Sequence, residues 1–506
     1  LITLALCVAG CGKEEAPTPP KPYTKPKPIP VVTLSPEENE ARRGLSLQVC
    51  STCHLRPEPD ALHRRGWVAL MDKMKPWVGL EAIPEETPAQ FHKLYPTNAL
   101  LTADEFKKLT EYYVANAPAE LPAPQVGFAG TSKIFERVDP KAPFGPFALA
   151  VTVAEDGVWV STAVTGLQGI YHRDFNGTWG APIDLGRAAT RMVFHQKKLY
   201  ATVVGDYFPH NEAKGALVRL ANAGLEKLAE PLRRPCDVLI DEFAGGLGLV
   251  FCEFGNLGGG VSWLDLSKPN AKRELLLEHP GVLNAASADF NGDGRQDFVV
   301  LTGQQRELVM LFIAKVGGGF EPRAVLPRQP AWGHSHLVVA DFNGDKTPDL
   351  LITNGDNGDL LNAPIKPYHG VRLHLNDGKG NFGEEQFFVQ PGAYRAVVRD
   401  FDDDGDLDIV SLAYFADYKR SPESALLYLR QDGPMEFTRL SLPGATAGRW
   451  ITMDAGDVDG DGDDDVVLAS LNMGPGVKHI PTELRRQWVR REVPVMILRN
   501  RSKTSE

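Results

Sequence analysis

Cys50-Ser51-Thr52-Cys53-His54 sets two thiols two residues apart, with an imidazole immediately after the second. Thiols at this spacing can form thioethers to both vinyl groups of a haem, and the adjacent histidine then reaches the iron. A redox dithiol or half of a zinc site would use the same CxxC. No βαβ pattern surrounds these cysteines, and no second CxxC or histidine pair follows at zinc spacing. Covalent attachment of one haem is the chemistry expected here, through Cys50, Cys53 and His54.

A second set of residues recurs. ADFNGDGRQDFVV begins at Ala288, ADFNGDKTPDLLI at Ala340, RDFDDDGDLDIVS at Arg399 and GDVDGDGDDDVVL at Gly456. Side chains able to ligate fall at positions one, three, five and nine of each. They are Asp289, Asn291, Asp293 and Asp297; Asp341, Asn343, Asp345 and Asp349; Asp400, Asp402, Asp404 and Asp408; Asp457, Asp459, Asp461 and Asp465. Alternate residues bring hard oxygens to one point, and a position-seven carbonyl can complete a shell suited to calcium. An EF-hand would place Glu at position twelve, where this chain has Val300, Ile352, Ser411 and Leu468 in strand-like runs. Hairpin loops holding three to four calcium ions are therefore expected, the plain alternative being tight Asn-Gly and Asp-Gly turns. In the second loop Lys346 replaces the glycine of position six, which adds strain and charge repulsion.

Other signals are weaker. His334 and His336 stand two apart in a strand-like run, so strict alternation would put them on one face. Asp206, His210, Asp356 and Asp417 fall in irregular stretches, without a catalytic triad, a phosphate loop or an HExxH motif.

The elements that must position these groups differ between the two halves of the chain. Residues 35–118 read as helical. Ser35-Pro36-Glu37-Glu38 is a helix start, and Thr102-Ala103-Asp104-Glu105 is a capping box before Phe106, Leu109 and Tyr113 on one face. Residues 119–130 form a Pro-rich linker. From there to 503 short apolar runs alternate with Gly, Asp and Asn, and the acidic repeats lie roughly 56 residues apart. A unit of that size with several strands is a propeller blade. Counting degenerate blades, including one over Cys236–Phe254, gives seven. The last blade lacks a strand, which Ser132–Glu136 can supply to close the ring. Residues 504–506 form a tail.

Residues 1–11 (LITLALCVAGC) read as the apolar core of a secretory signal ending in a lipobox-like Val8-Ala9-Gly10-Cys11, with Cys11 the expected lipid acceptor. No Met or basic stretch precedes it, so the sequence is expected to begin inside the signal. Residues 12–34 are rich in Pro and Lys and read as an extended tether. Export favours a disulfide between the remaining pair, Cys236 and Cys252, two free buried thiols being the alternative.

Taken with CSTCH, Trp67, Met74 and the closing LTADEFKKLTEYYVANAP helix, residues 35–118 resemble class I-like cytochrome c domains. The resemblance implies His54 as proximal iron ligand and a downstream methionine as distal ligand. Met74, before the Pro76 break, is favoured over Met71, with His63 and His92 as alternatives. The acidic loops resemble the FG-GAP or VCBS-type repeats of integrin-like propellers.

The fourteen aspartates at the repeat positions account for the formal net charge of −11, which argues against nucleic acid as partner. The expected protein is a lipid-anchored, extracytoplasmic electron carrier whose propeller docks a redox partner protein or a polysaccharide. The rivals are a self-contained oxidoreductase acting on a sugar-like substrate and a non-redox adhesion module.

Overall fold

The structure, a computed structural model, describes residues 32–503 except 164–168, 207–209, 222–223, 244–245 and 359–363. Cys11, the tether up to residue 31, the tail and residues 244–245 of the expected degenerate blade lie outside the described residues. No helix among the described residues is long and apolar enough to cross a membrane.

Three helices form the N-terminal part: α1 (Pro36–Cys50), α2 (Arg64–Met74) and α3 (Ala103–Asn116). Ser35 with Glu38 and Thr102 with Glu105 form the two capping boxes, each satisfying otherwise orphaned N–H groups. The helices meet over Trp67, Leu109 and Tyr113. Trp67 stacks on Tyr113 at 4.1 Å and donates from Nε1 to the Pro59 carbonyl at 2.6 Å.

A seven-bladed β-propeller follows. Its first strands are Ala148–Ala154, Ala189–His195, Pro235–Phe243, Val282–Ala288, His334–Ala340, Ala393–Arg399 and Trp450–Gly456. Each neighbours the next around the ring, and the last returns to the first. Blade seven has three strands of its own, ending at Val495–Asn500. Its fourth is Phe135–Val138, antiparallel, with Phe135 opposite Asn500. The closing strand thus forms a few residues beyond the expected Ser132–Glu136. A helix between its second and third strands, α4 (Thr482–Arg491), was not anticipated.

All seven first strands carry a register shift at the same place, one residue after their start. This bulge corrects two expectations. His334 pairs with Asn354 and His336 with Thr353, so Ser335 is skipped and the two histidines point to opposite faces. The cysteine bridge is likewise not formed: Cys236 and Cys252 are free thiols. Cys236 is the bulged residue, which leaves Asp237 opposite Cys252. The Cys236 thiol turns sideways to the first residue of the next blade, the Val282 carbonyl, at 3.0 Å. Thr190 and Ser335, at the same position in blades two and five, donate to the Pro235 and Ala393 carbonyls at 2.8 and 3.0 Å. Cys236 therefore does the work of an inter-blade hydroxyl.

The helical part docks on one end of the propeller. Arg306 Nε donates to the Cys53 carbonyl at 2.8 Å, the Glu58 N–H donates to Gln329 Oε1 at 2.8 Å, and Tyr368 Oη donates to the Ala61 carbonyl at 2.7 Å. These propeller residues sit in links between blades or in loops joining second to third strands. The acidic loops join first to second strands, so antiparallel pairing puts them at the other end.

Because Cys236 acts as a donor to a carbonyl, Cys236→Ser should keep the fold and change stability by no more than about 1 kcal/mol. Thiol titration of the unfolded, unreduced protein should find both Cys236 and Cys252 reactive. Two unreactive cysteines at these positions would restore the bridge.

Candidate functional site

α1 runs directly into the CSTCH segment: Cys50 is its last residue and Ser51 its C-cap, so Cys53 and His54 lie in the turn beyond. Both thiols are unbonded, Cys53 exposed and Cys50 half-buried. Burial pushes the Cys50 thiol up, and Tyr113 Oη lies 3.7 Å from its sulfur. His54 Nδ1 donates to the Leu55 carbonyl at 2.8 Å. A carbonyl can only accept, so Nδ1 carries a proton; in the neutral ring the lone pair is then on Nε2, the tautomer a metal ligand needs. Arg56 pairs with Glu58 through one nitrogen, while its buried Nη1 has no hydrogen-bond partner.

The candidate distal residues separate by environment. Met71 is 6% exposed inside the helical core, whereas Met74 is half-buried at the margin of the same cluster, as is Cys50. His63 Nδ1 accepts the Gly66 N–H at 2.9 Å as the N-cap of α2, and His92 Nε2 donates to the Thr87 carbonyl at 3.0 Å. Two unbonded thiols, an imidazole with Nε2 available and a buried guanidinium nitrogen lacking an anion fit the needs of a thioether-linked haem with acidic side groups.

Each acidic loop is wired in the same way. The position-one carboxylate accepts the N–H of position six: Asp289 from Gly294 at 2.7 Å, Asp341 from Lys346 at 2.8 Å, Asp400 from Gly405 at 2.9 Å and Asp457 from Gly462 at 3.0 Å. Position nine is fully buried in every loop and holds two elements together. Asp465 accepts the Val458 N–H from its own loop at 3.1 Å and the Asn500 N–H from the third strand at 2.7 Å. Asp297, Asp349 and Asp408 do the same with Phe290 and Ala314, Phe342 and Asn376, and Phe401 and Gln431.

Position four and position six are both left-handed. Glycine supplies most of them, but Asp403 (φ 61°) and Lys346 (φ 70°) adopt the same backbone without being glycine. The lysine was expected to strain its loop; the strain at Asp403 was not foreseen, although Gly292, Gly344 and Gly460 mark the position in the other loops.

The loops differ in charge. Three carboxylates converge in the third, Asp400, Asp402 and Asp404, and in the fourth, Asp457, Asp459 and Asp465. The first and second loops carry Asn291 and Asn343 at position three. In the fourth loop Arg499 Nε lies 2.8 Å from Asp459, and Arg501 reaches Asp461 at 3.4 Å. Asp402 Oδ1 in the third loop and Asp459 Oδ1 in the fourth are both buried without a hydrogen-bond partner, but no such arginine ion pair reaches Asp402 among the described residues. Burial, then the neighbouring Asp404 and Asp400, push Asp402 up to about 6. Burial likewise raises Asp408 and Asp465 to about 7. The third loop is thus the one whose negative charge most lacks a counter-ion.

Sequence reasoning missed three amides. Asn376 Nδ2 donates to the Phe290 carbonyl at 3.0 Å, Gln431 Nε2 to Phe342 at 3.2 Å and Asn500 Nδ2 to Phe401 at 2.7 Å. Each staples a blade's third strand to the acidic loop of the blade before it. Aligning GVRLHLN, LLYLRQ and VMILRN would have exposed them, and blade four, preceded by a blade without an acidic loop, has Ala314 there. Asp206, His210, Asp356 and Asp417 lie in second-to-third-strand loops on the end that bears the helices. Asp206 is held there by Lys214 at 2.9 Å and Arg187 at 3.1 Å, with His210 Nε2 at 3.6 Å. Asp206, His210, Asp356 and Asp417 form no catalytic triad among the described residues.

Relief of the left-handed lysine should make Lys346→Gly more stable, by on the order of 1 kcal/mol in denaturant melts; equal or lower stability would show the backbone is unstrained. The raised aspartates give a pH dependence of fixed sign. Their folded pKa lies above the unfolded value, so the folded state holds protons that the unfolded state has released, and stability is lost as pH rises. In chelator, the melting temperature should fall between about pH 5 and about pH 8, and added calcium should flatten the slope. A flat profile in chelator would show that these carboxylates impose no such cost.

Residues 289–352 and 400–468 match the FG-GAP-like repeat family. Among curated proteins no match to the chain is found. Among solved structures, a lectin of Agrocybe aegerita, described as recognising non-reducing terminal N-acetylglucosamine, is 16% identical. It aligns over 66% of this chain and 88% of its own, with a TM-score of 0.34. A "putative 6-phosphogluconolactonase" of Bacteroides fragilis is 10% identical over 58% of this chain and 84% of its own, with a TM-score of 0.38. The chain carries an FG-GAP-type repeat region within a seven-bladed β-propeller.

Proposed function

We propose that this chain is an extracytoplasmic, lipid-anchored electron-transfer protein, with haem held by Cys50, Cys53 and His54 and a propeller that docks a protein or polysaccharide partner. The observation that carries the reading is the CSTCH turn. Its thiols are unbonded, its histidine has Nδ1 committed to the Leu55 carbonyl, and Met74 lies at the margin of the cluster that also receives Cys50. A haem with histidine and methionine ligands exchanges single electrons at a raised potential. Around it the chain supplies rigidity: Arg306 of the propeller holds the Cys53 carbonyl, and Tyr113 Oη donates to the Pro57 carbonyl at 3.2 Å. Calcium in the third and fourth loops, and with less charge in the first and second, would offset carboxylates that otherwise repel one another. The lipobox-like Cys11 supports a membrane anchor.

A specific feature favours the second reading, an oxidoreductase that binds its own substrate. A cleft of about 720 Å³ opens between the helices and the propeller, bordered by Asp60, Arg64, Asn116, Gln329, Trp332 and Tyr368. Clefts between domains are common small-molecule sites.

Protein produced with a haem-attachment system should retain haem through denaturing electrophoresis, and the double variant Cys50→Ala/Cys53→Ala should lose it. Met74→Leu should alter the visible spectrum while leaving attachment intact. Reduction of the purified, oxidised protein by a sugar without added enzyme would select the second reading. Failure to retain haem would remove both and leave the propeller as a binding module.

A further inference from the structure

The residues just after the seven bulges stand at equivalent places around the propeller axis, and three of them hydrogen-bond to the next blade. Asn284 exchanges two hydrogen bonds with the Leu337 backbone, at 2.9 and 3.1 Å. Asp237 Oδ2 accepts the Ala285 N–H at 2.8 Å, and Arg395 Nε donates to the Met453 carbonyl at 3.1 Å. Further along their strands, Thr152 donates to the Met192 carbonyl and Asp454 accepts the Val153 N–H, both at 2.9 Å. His336 breaks the pattern. Its Nδ1 is buried and has no hydrogen-bond partner, and the tie from blade five to blade six is made by Ser335 instead.

Two arginines converge on this gap. Arg191 of blade two and Arg395 of blade six lie three blades apart by the shorter way round the ring yet are close enough to repel. Burial and then Arg191 push Arg395 down to about 10, and after burial both arginines depress His336 well below its ordinary value. Both stand on innermost first strands, at the same place after the bulge, so a mutual repulsion between such separated blades acts across the central channel. The carboxylates facing them are Asp237 and Asp454. Asp237 Oδ1 lies 3.3 Å from Arg191 Nε, but that nitrogen makes no hydrogen bond. Asp454 spends Oδ2 on the blade-one backbone. The Arg191 Nε and the His336 Nδ1 are buried atoms without a hydrogen-bond partner, which is costly, while the Arg191 side chain as a whole is 31% exposed and Arg395 already donates to Met453.

We propose that the central channel binds a small oxyanion, a carboxylate or phosphate group, between Arg191, Arg395 and His336. The planar fork of arginine matches the paired oxygens of either group, and a neutral imidazole still offers one N–H. The site lies near the start of the first strands, toward the end that bears the helices and away from the acidic loops. It does not depend on haem or calcium.

The full chain is titrated with inorganic phosphate and, separately, with malonate, against chloride at equal ionic strength, reading melting temperature and calorimetric heat. A single saturable site is expected, and the better of the two anions identifies the source of the oxygens. Arg395→Gln and His336→Gln should each weaken binding about tenfold or more. His336 has no hydrogen bond at Nδ1 to lose, so His336→Gln should melt near the parent in chloride and separates a lost site from a lost fold. Absence of a saturable response to both anions, or binding that survives either substitution, overturns the proposal.

Discussion

The buried aspartate at position nine is the interaction on which the acidic blades depend. A carboxylate with no solvent exposure is unfavourable unless its oxygens are satisfied. In Asp297, Asp349, Asp408 and Asp465 one oxygen takes an N–H from the loop and the other an N–H from the third strand. That pair of bonds fixes where the loop leaves the sheet. It also carries Phe290, Phe342, Phe401 and Val458 into the core. The exposed aspartates of the loop are held in place by this anchor, so the geometry offered to a cation is set from below.

A different device holds the inner ring. Each first strand is bulged at its second residue, which frees that side chain to leave the plane of its own sheet and reach the next blade. Where the residue is Thr190, Cys236 or Ser335, a hydroxyl or thiol makes the bond. The following residue, among them Arg191, His336 and Arg395, resumes the alternation on the opposite face. One irregularity repeated seven times thus joins three of the blades to the next by a side-chain bond.

How much of this could be read beforehand depends on whether the signal lies along the chain. The acidic repeats were legible because their aspartates keep a fixed local spacing, and the seven blades followed from that spacing. The capping boxes at Ser35 and Thr102 were legible for the same reason. The bulges were not: their residues include leucine, threonine, cysteine, serine and tyrosine, and no shared chemistry marks them. This is why strict alternation misplaced His334 relative to His336, and why Cys236 was paired with Cys252. Docking of the helices was equally hidden, since Arg306 and Cys53 are joined only by the folded chain. The site geometry was thus foreseeable within a loop and opaque between blades.

The ring is shut by Phe135–Val138 lying against Val495–Asn500. Nearly the whole propeller separates these partners in sequence, so a large entropy of chain closure must be met before their contacts contribute. The early strand is made long before the late one and has an unsatisfied edge until it arrives. Blades one to six can assemble from neighbouring hairpins, but blade seven cannot. Completion of the fold is therefore a late, non-local event. Until then, an open sheet edge next to the helical segment is a place where a holding chaperone or a second unfinished chain can compete.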